Sequence, residues 1–281
     1  MSENIDSKEL DNFIELLQSA RDNNTIESYI YIKNILNSVE FPIPFAIYPK
    51  GSKFVRSRIH RNNETFFKKI KDISYRTDIQ NIKSFGRASE PGQSIFYCAD
   101  DDWLAYAETS PIVRKQEEKT FEYITTGLWI STEDIFAVSL LTNDNIRGQH
   151  TGIDNLSKSF ENLIENQADE NAYVVSQLFQ FLSKEFSKLA NDNSNNYKIT
   201  AAFANYIFDS VEQADCILYP STIYPIKGFN FAFEPKTVEN KMVFHSAIRR
   251  KMEKFDNTNY AETELIESLS NENNKVDIIW K

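Results

Sequence analysis

The sequence predicts an α+β fold built around a mixed, largely antiparallel sheet, and two observations lead to this prediction. Helical and strand patterns follow one another irregularly, without the strict alternation that a doubly wound parallel sheet requires. The 281 residues also include only 7 Gly and 8 Pro but 21 Phe and 13 Tyr, which is typical of long regular elements packed through aromatic layers. With 41% hydrophobic residues, a chain of this length can bury a sizeable core.

The first 45 residues predict a helical hairpin. Apolar residues recur every three or four positions along 10–17 and again along 26–39, as one face of a helix requires. The Asn-Asn-Thr segment at 23–25 interrupts the pattern and supplies an N-cap for the second helix. Two prolines then end the hairpin, so we expect residues 1–45 to form an N-terminal helical extension.

Two arginines share one face of the first predicted strand. The alternation over residues 54–59 has the period of a strand and places Phe54, Arg56 and Arg58 on the same side. A strand face with two cations either meets water or lines an anion site. For three further cations nearby we expect a solvated strand edge: Lys50, Lys53 and Arg61.

Glu108 is predicted at the C-terminal end of a short helix. A strand over 94–99 leads to Asp100 and Asp101, one of which caps a helix over 102–109. A carboxylate in the last turn of a helix opposes the helix dipole. We therefore expect Glu108 to have a role other than stabilising its helix.

The remaining elements follow in mixed order, and they define the predicted domain organisation. Strands at 120–130 and 134–141 precede a helical insertion at about 142–196, with helices over 153–167 and 170–190. A helix over 197–211 and strands over 215–219, 229–233 and 241–245 follow. We expect one domain at 46–257 that contains the insertion, and a C-terminal tail at 258–281 in which Ile278, Ile279 and Trp280 can dock.

Charge and composition predict a cytoplasmic protein that binds neither nucleic acid nor membranes. The formal net charge of -10 repels polyanions. The first ten residues lack the apolar core of a signal peptide, and no apolar run reaches the roughly 18 residues of a membrane span. The three histidines lie far apart and the two cysteines lack metal-binding spacing, so we expect no metal site.

The most informative segment runs from Gly86 to Tyr97, Gly-Arg-Ala-Ser-Glu-Pro-Gly-Gln-Ser-Ile-Phe-Tyr, and is followed by Ala105 and Glu108. Upstream stands Phe54-Val55-Arg56, and downstream stand Tyr219-Pro220-Ser221 and Gly228-Phe229-Asn230-Phe231-Ala232. In this order the motifs resemble the RES-domain family, which is named for an arginine, a glutamate and a serine. The resemblance covers about residues 53–110 and 199–234.

The resemblance implies three catalytic residues, Arg56, Glu108 and Ser221. Arg58 lies on the same strand face as Arg56 and competes for the role of the family arginine. We favour Arg56 because it directly follows the pair Phe54-Val55, as in the family pattern.

Four further residues are implied to bind the substrate: Arg87, Tyr97, Arg58 and Asn230. Each site residue, taken singly, has an ordinary structural explanation, such as a strand-edge charge or a solvated helix end. Their occurrence together in this order favours the functional interpretation.

The resemblance also implies what the protein does. Members of the family act as NAD phosphorylases or glycohydrolases, often as toxins of toxin–antitoxin pairs, and their fold resembles that of ADP-ribosyltransferases. For this chain the resemblance implies NAD as substrate, inorganic phosphate as a candidate co-substrate, no cofactor, and an antitoxin or regulatory protein as partner. The helical extension and the insertion depart from compact family members, so the partner and any oligomer stay undetermined.

These residue types suit cleavage of the nicotinamide–ribose bond, which proceeds through an oxocarbenium-like species. Arginine forks bind phosphate oxygens, and a carboxylate stabilises positive charge that develops on the ribose. Tyr97 would offer its ring to the nicotinamide, and Ser221 would position a phosphate or ribose oxygen rather than attack. Two other functions stay open: ADP-ribosyl transfer to a macromolecule, and a binding module without catalysis.

Overall fold

The computed structural model describes residues 9–23, 25–39, 43–61, 64, 66–114, 120–141, 160–161, 165, 169–188, 193–221, 223, 228–256, 259–269 and 276–281. The α-helices are α1 Leu10–Asp22, α2 Ile26–Asn37, α3 Asp102–Thr109, α4 Asp169–Phe186, α5 Lys198–Ser210 and α6 Pro235–Lys241. The strands are β1 Phe45–Tyr48, β2 Lys53–Ile59, β3 Phe96–Ala99, β4 Phe121–Ser131, β5 Ile135–Ser139, β6 Cys216–Pro220, β7 Phe229–Phe233, β8 Met242–Lys254 and β9 Tyr260–Glu267. Short 3₁₀ turns occupy Ile70–Asp72, Ile79–Asn81 and Ser194–Tyr197.

All nine strands belong to one sheet, in the order β1-β5-β6-β7-β3-β2-β4-β8-β9. Only β5 and β6 run parallel to each other, and every other neighbouring pair is antiparallel. The predicted α+β class with a mixed, largely antiparallel sheet is therefore confirmed.

The strand period divides the protein into two cores. In β7 the side chains of Phe229, Phe231 and Phe233 join an aromatic cluster on one face of the sheet. The alternate residue Ala232 joins a second cluster on the opposite face, together with residues of the helices α1, α2, α4 and α5. Because successive side chains point to opposite faces, Asn230 lies on the helical face as well.

The predicted N-terminal helical hairpin is confirmed as α1 and α2. The Thr25 side chain accepts a hydrogen bond from the Ser28 amide at 3.2 Å, so it caps α2 as the sequence indicates. The hairpin packs on α5, where the buried Lys198 ammonium donates to Ser28 Oγ at 3.0 Å and to the Thr25 carbonyl at 3.3 Å. The hairpin is therefore attached to the sheet through α5.

Several elements differ from the sequence prediction. The strand expected at 241–245 extends over thirteen residues as β8, because β4 and β9 pair along both of its edges. The tail expected from 258 onward supplies β9, and its apolar end docks: Ile278 is buried, and Trp280 Nε1 donates to the Phe67 carbonyl at 2.9 Å. Most of the helix expected over 153–167 lies outside the described residues.

No helix in the described ranges is a candidate for spanning a membrane. No helix there combines the length and the apolar character that crossing a bilayer requires.

Candidate active site

A cavity of about 370 Å³ opens where β2 and β3 diverge. These two strands share a ladder of one residue pair, Val55–Ala99, beyond which they separate. The lining comes from the strands β2, β3, β6 and β7, from α3 and the turn after it, from the turn that carries Arg87 and from the 3₁₀ turn before α5. Its residues are Arg56, Ser57, Gly86, Arg87, Tyr97, Cys98, Ala105, Glu108, Thr109, Arg114, Tyr197, Tyr219 and Asn230. The volume falls within the range of small-molecule sites.

Glu108 occupies the wall formed by the end of α3. The helix begins at the Asp101 cap, whose carboxylate accepts from the Leu104 amide at 2.9 Å, and it runs for two turns, which places Glu108 at the cavity. Ser221 Oγ donates to Glu108 Oε1 at 2.6 Å, and Asn230 Nδ2 donates to the same oxygen at 2.9 Å. These two hydrogen bonds explain why a carboxylate is retained at a helix end that its dipole disfavours.

Ser221 and Asn230 reach Glu108 from adjacent strands. Asn230 lies in β7 on the helical face, and Ser221 directly follows β6, the neighbour of β7. Ser221 is 1% exposed, and its Oγ also accepts a hydrogen bond from the Ile223 amide at 3.1 Å. The hydroxyl proton therefore points to the carboxylate, so Ser221 acts on the position of Glu108.

Arg87 projects into the cavity from a tight turn. The Ser89 amide donates to the Gly86 carbonyl at 3.3 Å and the Gly86 amide donates to the Ser89 carbonyl at 2.8 Å, so Arg87 and Ala88 form the corner. Tyr97 Oη accepts a hydrogen bond from the Ala88 amide at 2.9 Å and lies 3.1 Å from Ser89 Oγ. Burial raises the pKa of Tyr97, so the phenol stays neutral, and these hydrogen bonds hold it beneath the turn.

Gly86 is required for this turn because a side chain at position 86 would clash with the residues beneath it. A Cβ atom at position 86 would lie 2.5 Å from Ser89 Oγ and 2.8 Å from Tyr97 Oη. We expect Gly86→Ala to lower the free energy of unfolding by about 1–3 kcal/mol, measured by urea denaturation. In a Ser89→Ala/Tyr97→Phe background the cost should fall, because both clashing oxygens are gone. An equal cost in both backgrounds would contradict the steric explanation.

The Arg87 guanidinium is held by aromatic rings and by a helix end. It lies 5.0 Å from the Tyr197 ring centroid and 5.6 Å from that of Tyr219. Nη2 donates to Tyr197 Oη at 3.3 Å, and Nη1 donates to the Phe186 carbonyl at the C-terminal end of α4. Cation–π contacts and a carbonyl orient the group without neutralising it.

Arg56 lies in the gap between the two diverging strands. Its Nη1 donates to the Tyr97 carbonyl, and its Nε donates to the Ser74 carbonyl at 3.2 Å. The guanidinium carbon lies 5.5 Å from the Phe96 ring centroid. Burial lowers the pKa of Arg56, yet a guanidinium stays protonated at neutral pH.

Arg58 does not line the cavity, although it shares a strand face with Arg56. Its guanidinium donates to the Asp72 carbonyl and forms an ion pair with Glu64 at 3.0 Å, and it lies over the Phe67 ring. The structure thus brings together six of the seven predicted site residues and leaves Arg58 apart. Five of the six line the cavity, and the sixth, Ser221, is hydrogen-bonded to the lining residue Glu108.

Arg114 and Tyr197 are among the cavity residues that sequence reasoning missed. Arg114 lies in the turn after α3, where Nη1 donates to the Glu108 carbonyl at 3.3 Å. The available signal was the pair of cations, Arg114 and Lys115, that follows Pro111-Ile112-Val113. Tyr197 ends the 3₁₀ turn that precedes α5, and no local pattern marks it.

The charges of the cavity favour an anionic ligand. Of the described residues, three with a guanidinium group and one with a carboxylate line it, within a chain of formal net charge -10. Among the residues that the structure describes, no carboxylate lies within 4.0 Å of the Arg56 or Arg87 guanidinium. A partly buried cation without a countercharge is unfavourable, so a bound phosphate or pyrophosphate would compensate it.

The described part of the chain contains no cluster of side chains that could bind a metal ion. No group of three or more His, Cys, Asp or Glu side chains lies close enough to hold an ion there. Cys98 lines the cavity, but burial raises its pKa well above the usual value, so the thiol stays protonated.

Comparison with known proteins gives one family match. The family model described as RES domain matches residues 58–249, which is more than half of the chain. The match begins at Arg58, two residues after Arg56, and it includes Arg87, Tyr97, Glu108, Ser221 and Asn230. No curated protein matches the chain.

Proposed function

Since this chain belongs to the RES-domain family, we propose that it is an enzyme that cleaves NAD at the nicotinamide–ribose bond, by phosphorolysis or hydrolysis. One observation carries the proposal: the Glu108 carboxylate, fixed by Ser221 and Asn230, faces a cavity in which the other charged groups among the described residues are three arginines. NAD needs a site of this polarity, since it presents a pyrophosphate and, in the transition state, a ribosyl cation.

Glu108 is the residue that stabilises the ribosyl cation in this proposal. The hydrogen bonds from Ser221 and Asn230 hold one carboxylate oxygen in place, so the negative charge needs no reorientation as the bond to nicotinamide breaks. The bonding electrons leave with nicotinamide, which becomes neutral. The anomeric carbon then forms a bond to an anionic oxygen of phosphate, or to the oxygen of water, which releases a proton to the solvent.

Arg87 and Arg56 bind phosphate oxygens in the proposed complex. The aromatic and carbonyl contacts of Arg87 leave its charge uncompensated by any carboxylate within the described ranges. Arg56 is anchored by two carbonyls, so its position is fixed before a ligand arrives. No metal or cofactor takes part in these steps.

The proposed biological role is that of a toxin or defence effector that depletes cellular NAD. An antitoxin or regulatory protein is the partner that such a role requires. The chemistry requires no resident cofactor, and inorganic phosphate is a co-substrate if the reaction is a phosphorolysis.

Product analysis tests the proposed reaction. The purified protein is incubated with NAD labelled in its adenylate half, with and without inorganic phosphate. Free ADP-ribose or ADP-ribose 1-phosphate, released together with nicotinamide, supports the proposal and identifies the acceptor. Label retained on protein or nucleic acid would instead indicate ADP-ribosyl transfer, and intact NAD after prolonged incubation would refute cleavage.

A further inference from the structure

The N-terminal hairpin contacts the segment that carries Arg87. Helices α1 and α2 precede the region that matches the RES domain, which begins at residue 58. Yet the Tyr29 ring of α2 lies 4.7 Å, centroid to centroid, from Phe85, two residues before Arg87. Lys33, one turn further along α2, lies 3.8 Å from the Glu90 carboxylate. The hairpin thus contacts one residue before Arg87 and one residue after it in the sequence, Phe85 and Glu90.

A chain of buried and partly buried hydrogen bonds links the same helix to the next turn. Asn205 of α5 donates through Nδ2 to Tyr29 Oη at 3.0 Å and accepts from Gln93 Nε2 at 2.6 Å. Gln93 Oε1 in turn accepts from the Glu90 amide at 3.0 Å. Tyr29 is 3% exposed and Asn205 is 5% exposed, so water does not replace these partners readily.

A second connection reaches the carbonyl partner of Arg87. Arg21 of α1 donates through Nη1 to both oxygens of Glu185, each at 3.1 Å. The Glu185 side chain is 1% exposed, and the next residue, Phe186, supplies the carbonyl that binds Arg87. The hairpin therefore braces both the loop that bears Arg87 and the helix end that orients it.

We infer that the N-terminal hairpin positions Arg87 for substrate binding, with Tyr29 as the central positioning residue. The inference rests on the proposed function, and it assigns to the extension a part in the site. When the Tyr29 hydroxyl is lost, the segment 85–93 samples more conformations and the binding-competent fraction falls. Apparent affinity for NAD falls in proportion. Loss of the Tyr29 hydroxyl does not change the hydrogen bonds that Glu108 accepts from Ser221 and Asn230, so kcat should be retained.

The test compares Tyr29→Phe with Tyr31→Phe. Both changes remove one hydroxyl from the same helix, but Tyr31 is 46% exposed and is not part of the Asn205–Gln93 chain. We expect Tyr29→Phe to raise the KM for NAD about threefold to tenfold, the usual effect of one hydrogen bond, with kcat within about twofold. Tyr31→Phe should leave both constants unchanged.

Two further measurements separate positioning from general destabilisation. In an Arg87→Ala background, Tyr29→Phe should change KM no further, because the two residues act through one interaction. Amide hydrogen exchange of residues 85–93 should be faster in Tyr29→Phe than in Tyr31→Phe, and this readout does not require turnover.

The outcomes distinguish this inference from the proposed function. If the wild-type protein leaves NAD intact, the proposed function fails. Amide hydrogen exchange of residues 85–93 still tests whether the hairpin positions the Arg87 segment. If NAD is cleaved and Tyr29→Phe has an unchanged KM, or its effect adds fully to that of Arg87→Ala, the positioning role is refuted. Unchanged exchange at 85–93 would refute it as well.

Discussion

Glu108→Gln is expected to reduce NAD cleavage on the order of a hundredfold to a thousandfold, the usual effect of losing one electrostatic contact to the transition state. The substitution preserves shape, and the new amide oxygen can still accept from Ser221 and Asn230, which both donate to Glu108 Oε1. The fold should therefore persist while the negative charge at the ribose is lost. The measurement is the rate of nicotinamide release at saturating NAD.

Glu133→Gln provides the matched control for this prediction. Glu133 is exposed in the connection between β4 and β5, away from the residues that line the cavity. Its substitution should leave turnover and thermal stability unchanged. A Glu108→Gln protein that cleaves NAD at the wild-type rate would remove Glu108 from the mechanism.

Arg87→Ala is expected to weaken NAD binding about tenfold to a hundredfold, since hydrogen bonds to charged groups contribute more than neutral ones. The side chain is only partly buried, and its described contacts are two tyrosine rings, one hydroxyl and one carbonyl. Its removal should therefore cost binding more than folding. The change is measured as KM for NAD and as the affinity for inorganic pyrophosphate.

Arg58→Ala serves as the comparison for Arg87→Ala. The Arg58 guanidinium contacts Asp72 and Glu64 outside the cavity, so KM for NAD should stay at the wild-type value. A large rise in KM for Arg58→Ala, with none for Arg87→Ala, would reverse the assignment of the phosphate ligands.

Arg56→Ala combines two effects and is the less direct test. We expect it to weaken NAD binding, but the partly buried guanidinium also donates to the carbonyls of Ser74 and Tyr97 in the gap between β2 and β3. Its loss leaves those carbonyls without a donor, which destabilises the folded state. Affinity should therefore be compared only after unfolding curves show that the variant is folded.

Local patterns were sufficient for the elements that carry the motifs. The alternation of Phe54, Arg56 and Arg58 predicted β2, and two Asp residues before a short helical run predicted α3 with a cap at Asp100 or Asp101, of which the structure uses Asp101. These predictions hold because strand period and capping depend on neighbours within about one turn. Pairing along β8 and β9 depends on residues distant in sequence, and there the predictions were short or absent.

The sequence by itself determined the α+β class, the N-terminal hairpin and the ordered set of residues around Glu108, and it showed that Glu108 stands at an unfavourable helix end. Only the tertiary structure showed that Arg56 lines the cavity and Arg58 does not, because two residues on one strand face are equivalent by period and differ only where β2 leaves β3. It also brought Arg114 and Tyr197 to the cavity and the hairpin to the Arg87 turn. Contacts such as Tyr29 to Asn205 join residues far apart in the chain, and no local pattern encodes them.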